Sequence, residues 1–82
     1  MNTISPVTTL HPQTSDIEFH PLSATEWRVS DRRFPRQSIE ALLGFVALHD
    51  DFYYATRMHH PLEATPLTSL DKVAEYFARN SH

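Results

Sequence analysis

Eighty-two residues with one glycine, six prolines and no cysteine fit a single small domain and exclude several classes of machinery. A core of this size contributes only about 3 to 5 kcal/mol without a staple, and the lack of cysteine removes disulfides and thiolate metal sites as that staple. The lone glycine, Gly44, excludes glycine-rich phosphate loops, because the dinucleotide fingerprint and the P-loop each need at least two. Seven Lys and Arg against ten Asp and Glu leave a net charge of -3, so the chain as a whole has no field attracting nucleic acid or an anionic membrane.

The sequence has no apolar run of about 18 residues, and its first residues lack the basic start and apolar middle of a signal peptide. A cytoplasmic location without membrane contact is the expectation. Charge is unevenly spread, however. Arg28, Arg32, Arg33 and Arg36 lie within nine residues whose only acid is Asp31, a local +3 that leaves -6 for the remainder.

In chain order, residues 1–22 carry Pro6, Pro12 and Pro21 among many Ser and Thr, which predicts an extended or disordered arm ahead of a domain over 23–82. Within that arm Ile17 and Phe19 alternate with Glu18 and His20, so an added edge strand is the alternative. Trp27 and Val29 alternate with Arg28 and Ser30, the period of a half-buried strand over 25–30. A loop broken by Pro35 follows. Ile39, Leu42 and Leu43 have helical spacing, predicting a short helical turn that Gly44 ends.

Two apolar and aromatic runs, 45–49 and 52–58, flank Asp50-Asp51 and predict a hairpin with a two-residue loop. Residues 59–69, with Pro61 and Pro66, read as a second loop. Then Leu70, Val73, Ala74, Phe77 and Ala78 fall at i, i+3, i+4, i+7 and i+8, an amphipathic helix over about 70–80 that Thr68 or Ser69 can cap. Glu75 stands four residues before Arg79, the favourable order for an ion pair. The expected fold is α+β: a small antiparallel three-stranded sheet packed against one C-terminal amphipathic helix.

The hairpin places Phe45, Ala47, His49, Phe52, Tyr54, Thr56 and Met58 on one face, and Val46, Leu48, Tyr53, Ala55 and Arg57 on the other. Both faces are substantially apolar. A helix of about 16 Å covers only one of them, and contiguous apolar surface left open on a small domain commonly marks an interface.

Three constellations compete with that reading. The arginine cluster, with Trp27 and Phe34 interleaved, has the residue types that grip phosphates and stack on bases; the plainer alternative is a solvated loop whose arginines pair with Asp31, Glu26 or Glu40. Six histidines raise the question of zinc or nickel, but His49 and His59 fall at opposite ends of the hairpin, roughly 20 Å apart. No metal or other cofactor is therefore expected. Fully protonated, the six would carry the formal charge from -3 to +3, so charged interfaces should respond near the ordinary histidine range. For catalysis, Asp50 and Asp51 are better explained as a turn, and the remaining His, Ser and Tyr residues form no known nucleophile motif. Neither an enzyme nor a small-molecule substrate is expected.

The segments Trp27-Arg28-Val29-Ser30-Asp31-Arg32-Arg33, Leu43-Gly44-Phe45-Val46 and Ser69-Leu70-Asp71-Lys72-Val73-Ala74 together resemble a group of short bacterial proteins that run from a Trp-Arg-Val strand through a Leu-Gly-Phe strand to a terminal Ser-Leu-Asp helix. The resemblance covers about residues 26–78. It carries no assigned activity, so it transfers no functional residue.

The functional expectation is a non-enzymatic interaction or regulatory module that presents an apolar, aromatic sheet face to a protein partner or to its own copy. Trp27, Arg28, Arg32, Arg33, Phe34, Arg36 and Arg57 are the expected binding residues, since aromatic residues and arginine dominate interface energetics. The alternative is a nucleic-acid-binding accessory protein using the 28–36 loop.

Overall fold

The computed structural model describes residues 12–80; the first half of the expected arm lies outside them. The fold is α+β. Five strands, β1 (Ile17–Pro21), β2 (Glu26–Asp31), β3 (Leu42–His49), β4 (Phe52–Arg57) and β5 (Ala64–Leu67), are followed by one helix, α1 (Leu70–Arg79). The strands form an antiparallel meander in the order β1-β2-β3-β4-β5.

The sheet has five strands rather than the expected three, and both additions are edge strands that carry a proline. In β1 the alternation of Ile17 and Phe19 wins over the prolines nearby, and Pro21 closes the strand opposite Trp27. In β5 Pro66 lies opposite Tyr54. An edge strand needs hydrogen-bond donors along one side only, so it tolerates a residue that a central strand rejects. Proline at both edges also opposes further strand addition.

The turn before β3 also differs from expectation. Only Ile39–Ala41 are helical, in a single 3-10 turn, and Gly44 sits inside β3 rather than ending a helix. Its lack of a side chain answers a packing demand: a Cβ there would collide with the Thr56 carbonyl oxygen and stand 2.9 Å from Phe77 Cε1. The β2–β3 register shifts between Val29 and Ser30, pairing Val29 with Gly44 but Ser30 with Leu42, so Leu43 is the extra residue of a bulge.

The β3–β4 hairpin follows its sequence signal. Phe45 pairs with Thr56, Ala47 with Tyr54 and His49 with Phe52, and Asp50 and Asp51 take φ of 50° and 72°, the left-handed pair of a type I′ turn. Helix α1 is capped by Ser69, whose Oγ accepts from the Lys72 N–H at 3.1 Å. Its C-terminus is closed by Asn80, whose side-chain amide donates to the Tyr76 carbonyl at 2.9 Å. Glu75 pairs with Lys72 at 3.7 Å.

The core lies between α1 and one face of the sheet. Val29, Val46 and Ala55 from β2, β3 and β4 meet Val73 and Phe77 from α1, all buried, with Ile17, Phe19, Trp27, Tyr53 and Leu67 packed around them. Each of the larger side chains contributes about 1.5 to 3 kcal/mol on burial. The Thr65 hydroxyl lies 3.3 Å from the Tyr76 hydroxyl and ties β5 to the helix.

Candidate docking face of the sheet

The strand period of two sends the residues between the core positions to the side away from α1. The pairing aligns them in rows. Arg28, Phe45, Thr56 and Ala64 form one row, and Glu26, Ala47, Tyr54 and Pro66 the next. Phe45 and Phe52 remain 43% and 42% exposed; the Phe52 ring lies 6.5 Å from that of Tyr54 in the same strand, and the His49 ring lies 6.5 Å from Tyr54 across the hairpin. The small side chain of Ala47 leaves an open depression of about 200 Å³ among the larger Phe45, Tyr54, Leu22 and Glu26, with Thr56 and Trp27 also contributing to its lining.

The expected binding residues do not gather on this face. Trp27 packs against the core, with its ring centroid 5.9 Å from Tyr53, because it alternates in phase with Val29; it borders the depression without being its exposed rim. Arg28 is on the open face opposite Phe45 and donates to the Arg36 carbonyl at 3.2 Å, so it braces the 32–38 loop from β2.

Arg33 is held by Asp31, which is 2% exposed. The guanidinium donates through Nη2 to Oδ2 at 2.8 Å and through Nε to Oδ1 at 3.0 Å, and the Arg33 backbone N–H donates to the same Oδ1 at 3.0 Å. These hydrogen bonds, opposed by desolvation and helped by the charges of Asp31 and Asp16, raise the Arg33 pKa above its ordinary value. Arg32 lies 3.7 Å from Asp16. Two of the four clustered arginines, Arg32 and Arg33, thus lie against acids from β2 and the turn ahead of β1. Phe34 is 40% exposed, with the Arg33 guanidinium 5.8 Å from its ring centre. Arg57 belongs to the helix side, paired with Gly44 in register, and its Nη2 lies 3.5 Å from Glu63.

The four histidines among the described residues are dispersed. His20 Nε2 lies 2.9 Å from the buried Ser30 Oγ and 3.6 Å from Glu18, His49 lies 3.2 Å from Asp50, and His59 and His60 are exposed. Among the described residues no three His, Cys, Asp or Glu side chains are grouped to hold a metal ion, and no helix is long and apolar enough to cross a membrane.

Sequence reasoning identified Phe45, Ala47 and Tyr54 as sharing a face but missed Glu26 and Leu22 as borders of the depression. The alternation of β2 held the signal for Glu26, which is in phase with Arg28. Leu22 had none, because its position depends on the turn in which its N–H donates to the Glu26 carbonyl at 2.8 Å.

No family model, curated protein or solved structure matches the chain.

Proposed function

We propose that this chain is a non-enzymatic, cytoplasmic interaction module whose working surface is the sheet face opposite α1. The observation that carries the reading is the depression over Ala47, walled by Phe45 and Tyr54, on a face where two phenylalanines stay more than two-fifths exposed. Contiguous aromatic surface of this kind is unfavourable in water and becomes favourable when another protein covers it. Tyr and Phe are also residue types enriched at interface centres.

The Arg-rich loop has a supporting part in this reading. Arg28 borders the aromatic patch opposite Phe45 and joins the loop to this face by donating to the Arg36 carbonyl. Nucleic-acid binding by residues 28–36 has less support, because Arg32 and Arg33 already lie against Asp16 and Asp31 and such binding depends on guanidiniums available to phosphates.

The test is a photo-crosslinking amino acid at position 45, compared with one at position 75 on the outer side of α1, in living cells. The expected result is protein adducts at position 45, to a second copy or to another protein, and few at position 75. Equal yields at the two positions would overturn the reading.

A further inference from the structure

The open face has an internal symmetry that identifies one occupant. The row Trp27, Val46, Ala55 and Thr65 runs across four strands, and the two rows beside it project to the open face. Across that central row each of these four strands sets one kind of side chain against its complement: Glu26 against Arg28, Ala47 against Phe45, Thr56 against Tyr54, Ala64 against Pro66; β1, with Pro21 opposite Trp27 and His20 opposite Arg28, lies outside the pattern. Every pair is acid and base, or small and large.

A two-fold axis lying in the plane of the face, perpendicular to the strands and along this row, exchanges the flanking rows between two copies. Such an axis turns one open face onto the other and stacks β2 antiparallel on its own symmetry mate. Each member of a pair then meets its complement from the second copy, which is the condition for a self-complementary two-fold interface.

We infer that this face is a homodimer interface in which Phe45 of each copy enters the depression over Ala47 of the other, flanked by two Glu26–Arg28 ion pairs between copies. The inference rests on the proposed docking role of the face and commits it to a second copy of this chain. Three further observations support it. The depression lies over Ala47, where the symmetry requires a hole, and the exposed Phe45 stands where it requires a knob. Glu26 has no ion pair among the described residues, and the side chain of Arg28 reaches only a backbone carbonyl, so both charges are available. Pro21 and Pro66 at the two sheet edges disfavour the competing mode of association, strand addition.

The size of the face sets the expected strength. Five strands about 4.8 Å apart and about six residues of 3.3 Å long give close to 500 Å² per copy, or about 1,000 Å² in total, the lower bound for a specific interface. A dimer with a micromolar dissociation constant is expected, with the sheets packed about 10 Å apart in the aligned manner of a sandwich.

Sedimentation equilibrium of the full chain from about 1 to 500 μM tests this. Glu26→Arg or Arg28→Glu alone should weaken dimerisation about tenfold, and the double exchange Glu26→Arg/Arg28→Glu should restore it to within about threefold. Ala47→Phe, which fills the hole from a surface position, should weaken it at least about tenfold while circular dichroism shows the fold retained. A monomer throughout that range, a dimer indifferent to the single changes, or a double exchange no better than either single overturns the inference. A monomer that still yields crosslinks from position 45 to a different protein overturns the dimer and leaves the docking role standing.

Discussion

Phe77 of α1 stands directly over Gly44 of β3: its Cε1 and Cζ would lie 2.9 and 3.0 Å from a Cβ at that position. The Phe77 ring therefore occupies the space that a side chain on residue 44 would need. Gly44→Ala should destabilise the domain by about 1 to 3 kcal/mol, the cost of overpacking a site whose neighbours include immovable backbone. A lowered midpoint in urea with an unchanged slope would show it. An unchanged midpoint would mean that the Thr56 carbonyl and the Phe77 ring both move aside at little cost.

The Asp50-Asp51 turn holds both residues at positive φ, where glycine and asparagine are at ease and aspartate less so. Asp50→Asn/Asp51→Gly should stabilise the protein by about 0.5 to 1 kcal/mol through relief of strain, reduced by the extra freedom glycine gives the unfolded chain. Thermal unfolding followed by circular dichroism measures this directly. A loss of stability would show that the carboxylates contribute more than their backbone strain costs.

Asp31 holds both the guanidinium and the backbone of Arg33 while almost wholly buried. Asp31→Ala removes several charge-assisted hydrogen bonds and should cost about 2 kcal/mol, whereas Arg32→Ala, at the more exposed pair with Asp16, should cost less than about 0.5 kcal/mol. The Arg33 pKa is raised in the folded state, so its contribution is fully present below the ordinary guanidinium value and is lost only as pH rises beyond it. Arg33 is therefore not expected to impose a pH dependence on stability between neutral and moderately alkaline conditions. Urea titrations of the two variants at two such pH values would check both statements.

Trp27 and Phe45 belong to opposite faces of the sheet and should fail differently. Trp27→Ala removes a ring packed on the core and should cost about 2 to 3 kcal/mol, below the usual value for a fully buried ring because Trp27 is only partly buried. Phe45→Ser should leave stability within about 0.5 kcal/mol and instead reduce association through the open face. Unfolding curves measured beside sedimentation for both variants separate the two roles. A Phe45→Ser protein as unstable as Trp27→Ala would place Phe45 in the folding core.

The parts of the fold legible in the sequence were those with a local cause. The 3.6-residue stripe from Leu70 to Phe77 and the hydroxyl of Ser69 specify a capped amphipathic helix, and two aspartates between alternating runs signal a hairpin, whose register the left-handed pair at Asp50 and Asp51 then fixes in the structure. The additional strands were harder to read because proline is a strong local signal against pairing, and whether a strand with Pro21 or Pro66 forms depends on the neighbour it joins.

The sequence by itself determined the α+β class, the helix, the central hairpin and the division of its residues between two faces, because these follow from backbone periodicity and turn chemistry. Only the tertiary structure decided what those faces are for in the fold. It turned Trp27 inward by the phase of β2, bound Arg33 to Asp31 and placed Gly44 beneath Phe77. It also aligned Glu26, Ala47 and Tyr54 in one row beside Arg28, Phe45 and Thr56. The reason is physical: periodicity fixes a side chain's direction within its own strand, whereas cross-strand register, set by turns and bulges far apart in sequence, decides which side chains become neighbours.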